Sequence, residues 1–543
     1  MALAIAAASL GFAPDAAAQV ANDPGAIERT IPQPAPSPVA APRVSLPRTP
    51  AGVGAGVNTQ FVLGSVHIEG ATVFTPTQLS NEFEPYLATT VDTDTLKEIV
   101  ARITRRYRSA GYILSYAVLP AQNVAGGIVR IAVVEGCVDK VVVQGGGPRT
   151  RAVEAMVARL VKEQPLNSQT LERVIGLIRD MPGMAVSDVR LSRSPGNAAN
   201  HQLTIIVTHD GAEALVYADN RGTDQAGRER LYTAATVNSV VIAGDEANIA
   251  VFAIPGRRYH YLYGQAAASV PVGPDGWRIG VSASRGDQYQ LYSFGRLDGA
   301  SYSFAAQLSY PLVRSRALTA VARLSVSDWR SVNDLDRVRI QRDRLRVARV
   351  ALDVTSGGKT RFEGQFAFAR GLGFDGVTRR DDPLASRIDG SGIFSKASAN
   401  VQLAHPLSKT MTLRANFAGQ YVSRPVLSPE EFSLGGSAIG RAYDFNALTG
   451  DHGIAGGIEI GYRIRDRRSG PRQAELFSFA DGGAVFQSGR QSSQPRSESL
   501  SSVGVGTRFV MAGLSFSAEL GVPLQRVSGL RSARAFFSIA KGF

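Results

Sequence analysis

The 543-residue sequence predicts two small α+β modules followed by an all-β antiparallel transmembrane barrel of about 16 strands. Two observations carry this prediction. Before His209 the order strand, helix, helix, strand, strand occurs twice, whereas after it helical periodicity stops and windows of about ten residues alternate between apolar and polar positions. Beyond the first dozen positions no run of 18 apolar residues exists, so any membrane crossing is made by strands.

Residues 1–18 are apolar and alanine-rich and end in Ala16-Ala17-Ala18 before Gln19, the pattern of a cleaved export signal, although no Lys or Arg precedes Arg29. An irregular Ala-rich terminus is the alternative. Residues 19–59 form a linker, because Pro24, Pro32, Pro34, Pro36, Pro38, Pro42, Pro47 and Pro50 repeatedly fix φ and remove backbone donors. Asn22 to Ile31 is the one stretch of it with room for a short helix, interrupted by Pro24 and Gly25.

The first module spans 60–138. Phe61 to Ile68 alternates as a strand; Thr95 and Glu98 have capping-box spacing; and Leu96, Ile99, Ile103 and Tyr107 recur at helical intervals before Gly111. Strands are expected at Tyr112 to Leu119 and Gly127 to Val134. The second module, 139–210, repeats the order, with a strand at Val141 to Val143, helices at about Arg149 to Lys162 and Ser168 to Asp180, and strands at Ala185 to Ser192 and His201 to Thr208.

The barrel occupies 211–543. In Ser301 to Tyr310, Tyr302, Phe304, Ala306, Leu308 and Tyr310 make one greasy face; Met411, Leu413, Ala415, Phe417 and Tyr421 do the same further on. A soluble sandwich also alternates, but with strands of about five or six residues. The opposite face carries Arg414, Glu363, Asn416 and Gln365, each costing several kcal/mol if buried without a partner, so it lines a wet lumen. Short connections such as Pro271 to Gly276 are assigned to the periplasm and long ones such as Val422 to Ala455 to the outside. Phe543, with Phe537 and Ile539 on its face, suits a terminal strand that closes the barrel.

Composition excludes several functions. The single Cys137 forms neither a disulfide nor a thiolate zinc site and reads as a buried structural thiol. The net charge of +13 is spread along the chain without aromatic interleaving, which argues against nucleic acid. Gly371, Gly373 and Gly376 spell GxGxxG, but Phe374-Asp375 and a run to Pro383 follow in place of a helix. No HExxH, nucleophile elbow or other catalytic set is present; no catalytic residue, metal ligand or cofactor is assigned.

Gly111-Tyr112-Ile113, then Pro120 and Gln122 in Leu119 to Gln122, Gly127, and Glu135-Gly136 resemble the first polypeptide-transport-associated (POTRA) module of two-partner secretion transporters, the haemolysin and filamentous-adhesin secretion proteins. Leu171-Glu172-Arg173 and Asp180-Met181-Pro182-Gly183 resemble the second. In the barrel, Gly440-Arg441-Ala442-Tyr443, between the eleventh and twelfth expected strands, is similar to the arginine motif these transporters share with outer-membrane assembly barrels. It departs from the usual Val-Arg-Gly-aromatic pattern at the positions flanking the arginine. Phe479-Ala480-Asp481-Gly482-Gly483 on the thirteenth strand resembles the partner motif.

A long loop can fold back into a lumen if its charged tip meets an opposite charge, and Arg441 with Asp481 fit those roles. Alone, Arg441 reads as a solvated loop arginine; the two motifs in order favour the pair. The resemblance implies secretion of a dedicated, repeat-rich polypeptide through an outer-membrane barrel, with POTRA modules in the periplasm capturing the extended client by β-augmentation or serving as rigid spacers. Haemolysin or adhesin is the client type implied, and a short helix at Asn22 to Ile31 would be the plug that such transporters often carry in the barrel at rest. The other implied partners are outer-membrane lipid and lipopolysaccharide, the assembly machinery and periplasmic chaperones. The competing expectation is an assembly factor that inserts other barrels.

Overall fold

A computed structural model describes residues 43–45, 60–146, 150–223, 226–464, 472–489, 496–527 and 532–543. The expected signal segment, the plug helix and all of the linker except 43–45 lie outside the described residues. That exception is the three-residue strand β1 (Arg43–Ser45).

The first unit contains β2 (Phe61–Val62), β3 (Ser65–Glu69), α1 (Pro76–Ser80), β4 (Thr90–Val91), α2 (Thr93–Ser109), β5 (Tyr116–Val118) and β6 (Ile128–Val134). Its main sheet runs β3-β6-β5. The anticipated Thr95–Glu98 capping box is not what starts α2: Asp92 is the N-cap and accepts from the Thr95 amide at 2.8 Å. Leu96, Ile99, Ile103 and Tyr107 bury one helix face against the sheet, as their spacing predicts. The strand expected from Tyr112 to Leu119 shrinks to β5, because Tyr112 turns into the core, where its ring meets Phe74 and Tyr107 edge-on.

The second unit contains β7 (Cys137–Gly145), α3 (Thr150–Lys162), α4 (Ser168–Arg179), β8 (Met184–Arg193) and β9 (Asn200–His209). Both helices pack their apolar faces on a sheet of order β1-β8-β9-β7. Strand β1 adds to the β8 edge in parallel register, Val44 opposite Val189. Cys137 is buried beside Asn200, and burial, with Asp139 nearby, raises its thiol pKa.

The rest closes into one barrel of 16 antiparallel strands. They are β10 (Ala212–Asp219), β11 (Arg230–Asn238), β12 (Glu246–Ile254), β13 (Tyr259–Val272), β14 (Trp277–Tyr292), β15 (Gly295–Arg314), β16 (Leu318–Leu335) and β17 (Val338–Gly357). After β18 (Arg361–Gly371), β19 (Ser395–Pro406) and β20 (Met411–Val422), two short strands, β21 (Phe432–Leu434) and β22 (Leu448–Gly450), pair only with each other. The wall resumes with β23 (His452–Ile464), β24 (Arg472–Phe486), β25 (Ser497–Met511), β26 (Leu514–Pro523) and β27 (Arg534–Gly542), and β27 pairs with β10. Phe543 continues that seam by exchanging backbone hydrogen bonds with Ala214.

Strands β14 to β17 run 16 to 20 residues, longer than the ten or so expected. Pairing carries on past the greasy rows into a charged zone with Asp287, Arg296, Asp298 and Asp334, where an apolar alternation no longer marks it. A bilayer crossing takes roughly 9–11 tilted residues, so these hairpins stand above the membrane.

The periplasmic side is set by where the second unit docks. Arg314 grips Asp180 through two hydrogen bonds of 2.7 and 2.8 Å; Arg173 reaches the Tyr310 hydroxyl and the Pro311 carbonyl, both at 3.1 Å. Leu177 lies against the Gly276 turn, and the Ser239 hydroxyl donates to the Pro182 carbonyl. The Leu171-to-Arg173 and Asp180-to-Gly183 motifs therefore fasten this unit to the barrel mouth.

Candidate functional site in the barrel lumen

The connection from β20 to β23 turns back into the barrel. Leu434, Ile439, Ala442, Tyr443 and Leu448 form an apolar cluster with Ala455, Val485 and Leu500 of the wall, which gives the loop a dry anchor. Gly440 permits the turn: its φ is +77°, and a Cβ there would meet Leu500 Cδ1 at 2.7 Å. The sequence's departure to Ala442 is accommodated, since Ala442 is fully buried against the wall. Tyr443 pins the loop, its hydroxyl lying 3.0 and 2.9 Å from the carbonyls of Ser501 and Gln525 and accepting from the Gln525 amide.

Arg441 ends at the wall of β23, β24 and β26. Both terminal nitrogens stand 3.0 Å from Glu459 Oε2, with Asp481 and Glu519 each at 3.5 Å. Its guanidinium lies 3.6 Å over the centroid of the Phe479 ring, so that motif residue supplies a π face. Asp481 mainly holds the loop backbone, accepting from Gly440 N at 2.9 Å, from Arg441 N at 3.4 Å and from the Ser502 hydroxyl. The expected Arg441–Asp481 pair is thus present only as the longer contact, and the principal carboxylate is Glu459. Gly483 leaves room for the loop: a Cβ there would meet Leu434 Cδ2 at 2.9 Å.

Sequence reasoning missed Glu459 and the network around it. Arg414 bonds Glu459 at 3.0 Å and Glu475 at 2.7 and 3.0 Å; Arg508 bonds Glu459; Arg221 bonds Glu519. A signal existed, since Glu459 sits between Ile458 and Ile460 at a position whose parity points into the lumen. Arg361, Glu363, Gln402 and Asn416 line the same space, where the arginines and carboxylates neutralise one another.

The periplasmic motif residues hold their own fold and the joint between the units. Glu135 accepts from Thr72 N at 2.7 Å, Val73 N at 3.0 Å and the Tyr107 hydroxyl at 2.8 Å. Burial works to raise its pKa, and these hydrogen bonds outweigh it, so the carboxyl lies below its ordinary value; burial and Glu135 together push the Tyr107 hydroxyl up. Gln122 closes the Pro120 turn by bonding both backbone groups of Arg130 at 2.7 Å. Gly111 has φ +95° and abuts Asn167, while Gly136 sits so close to Leu114 that a Cβ would lie 2.5 Å from that residue's own. The amide of Ser168 donates to Gly111 O, and that of Leu166 to Gly136 O. Among the described residues no cluster of His, Cys, Asp and Glu could hold a metal ion.

Comparison with known proteins places this architecture. Residues 207–509 match the family model described as haemolysin secretion/activation protein ShlB/FhaC/HecB, and residues 61–136 match the POTRA domain of ShlB type. The heme/hemopexin transporter protein HuxB of Haemophilus influenzae is 22% identical over 466 residues, covering 82% of this chain and 80% of its own length. The outer membrane transporter CdiB of Dickeya dadantii is 22% identical over 387 residues, covering 68% and 66%. In fold, CdiB from Escherichia coli superposes with a TM-score of 0.76 at 19% identity over 95% of each chain. BamA from Haemophilus ducreyi lacking POTRA domains 1–3 reaches 0.51 at 11% identity, over 89% of this chain and all of that one.

Proposed function

The chain belongs to the haemolysin secretion/activation family of outer-membrane transporters, and from that premise we propose how its parts divide the work of moving a dedicated secreted polypeptide through the barrel. Residues 60–138 and 139–210 are two POTRA domains in the periplasm, and 211–543 is the conduit. The observation that carries the mechanism is the β1–β8 pairing: the edge of the second sheet takes an extended segment as an added parallel strand. An emerging client, unfolded and extended, competes for that edge, displaces the linker and is delivered to the barrel mouth beside α4. The Arg441 loop, anchored on Glu459, Asp481 and Tyr443, conditions the lumen it passes through.

This is a conduit and not a catalyst, so directed movement comes from outside the chain; folding of a repeat-rich client on the cell surface supplies it. The client is of haemolysin or adhesin type, and the other partners are outer-membrane lipid, the barrel-assembly machinery and periplasmic chaperones. The test is secretion of a candidate repeat-rich partner with and without this protein, while assembly of an unrelated barrel is followed. Loss of the partner from the medium with the unrelated barrel intact supports dedicated secretion. The converse result moves the assignment to insertion of other barrels, a reading that the fold shared with BamA keeps worth testing.

A further inference from the structure

On the lipid-facing rows of the barrel the described arginines gather on one side. On β14 to β18 the outward positions beside the membrane are apolar: Ala283 and Val281, Phe304 and Leu308, Val326 and Leu324, Val350 and Leu352, Phe368 and Phe366. Directly above them the same faces present Arg285, Arg330, Arg344, Arg346 and Arg370. The described lipid-facing positions of β11 to β13, β19, β20, β23, β25 and β26 hold no Lys or Arg in their paired registers.

The height of this belt follows from the strand. Trp277, stacked on Tyr310 with ring centroids 4.4 Å apart, marks the periplasmic interface next to the turn that receives α4. Arg285 lies eight residues further along β14, and at about 3.4 Å per residue with a tilt of about 40° that is roughly 20 Å across the membrane. The apolar band of such barrels is about 25 Å tall, so the arginines stand at the level of the outer-leaflet headgroups.

Their charge is held in place but not cancelled. Arg285 chelates Asp287 at 2.7 and 2.8 Å, while Arg330, Arg344 and Arg346 all converge on Asp328 at 3.1, 2.7 and 3.0 Å. Four of the five arginines thus share two aspartates, and Arg370 bonds the Ser395 hydroxyl. Asp328 holds the three guanidiniums together; one nitrogen of Arg346 donates to the Asp375 carbonyl, and the donors left over suit an acceptor with more than one oxygen and more than one charge. Tyr302 under Arg285 and Phe374 under Arg346 flank the belt with ring faces.

We propose that this outer rim of β14 to β18 is a binding site for the phosphorylated glucosamine headgroup of lipopolysaccharide, with the acyl chains lying on the apolar rows below. A free phosphate satisfies the arginines but leaves those rows without a role, which is why an amphiphile is the occupant.

The test uses the full chain purified in detergent and native mass spectrometry with four probes: bisphosphorylated lipid A, dephosphorylated lipid A, phosphatidylglycerol and inorganic phosphate. Bisphosphorylated lipid A is expected to be retained, and the combined Arg330→Gln, Arg344→Gln, Arg346→Gln variant to weaken retention by about tenfold or more. Lys409→Gln, on an exposed periplasmic turn, should leave it unchanged. Equal retention of dephosphorylated lipid A or phosphatidylglycerol, or full displacement by inorganic phosphate, overturns the proposal. The probe comparison on the unaltered protein stands even if the triple variant fails to form an SDS-resistant barrel.

Discussion

The guanidinium of Arg441 is held by Glu459, with both terminal nitrogens 3.0 Å from a single carboxylate oxygen and both side chains about nine-tenths buried. Removing one partner strands the other charge in a confined space, at a cost of about 3–5 kcal/mol. Arg441→Ala and Glu459→Ala should each impair secretion strongly, and the double variant should be no worse than the more severe single one. Strictly additive losses in a secretion assay would mean that the two residues act separately.

Asp481 has a different duty, and its substitutions should sort accordingly. Asp481→Asn keeps an oxygen for the Gly440 amide and should retain most function, whereas Asp481→Ala frees the loop backbone. Protease nicking within 435–445, measured on the folded barrel, should rise for the alanine variant and stay near the parent level for the asparagine one.

Arg314 and Asp180 join the second POTRA domain to the barrel across an interface where Asp180 is nearly half exposed. Solvent screening limits the pair to about 1 kcal/mol. Arg314→Asp should therefore loosen the domain without unfolding it, seen as faster amide exchange in α4, and adding Asp180→Arg should restore protection. Failure of the reversed pair to recover any protection would show that the charge pair is not what Arg314 contributes to the joint.

Cross-linking β1 to β8 should arrest transport. With Ser45→Cys and Arg190→Cys, an opposed pair whose β8 member is exposed, joined by a short, cleavable thiol-reactive cross-linker, the edge can no longer exchange partners. Secretion should stop on cross-linking and return on cleavage; undiminished secretion by the cross-linked protein would exclude this edge as the client's landing place.

Glu135 gives the first domain a pH dependence of definite sign. Its pKa is lowered in the fold, so its stabilising contribution is complete above the ordinary carboxylate value and disappears as pH falls through the lowered one. Glu135→Gln should destabilise by about 1–3 kcal/mol at neutral pH, with the difference from the parent shrinking as acid protonates the carboxyl in the folded protein. Exchange protection at the Thr72 and Val73 amides reports it.

What could be read in the sequence was whatever repeats. Helix α2 announces its buried face through Leu96, Ile99, Ile103 and Tyr107, and β20 announces its greasy side through Met411, Leu413, Ala415 and Phe417, because burial on one face imposes a period. Arg441 and Asp481 were recognisable by motif, and the loop between the eleventh and twelfth strands was placed correctly. The identity of Arg441's main partner was not, since pairing across a lumen depends on register among strands distant in sequence. Every polar lumen position of β23 to β26 is formally a candidate, and Glu459 is selected only once Gly457 faces Asp481. The upper halves of β14 to β17 escaped for another reason: above the membrane a strand is solvated on both faces and its alternation loses contrast.

The joint between the two periplasmic domains leaves no slack. Gly111 and Gly136 bring the backbones together at two points, their carbonyls accepting from the amides of Ser168 and Leu166 at the start of α4, and the second domain is held to the barrel at Arg314. Load placed on the first domain therefore reaches the barrel wall through these contacts.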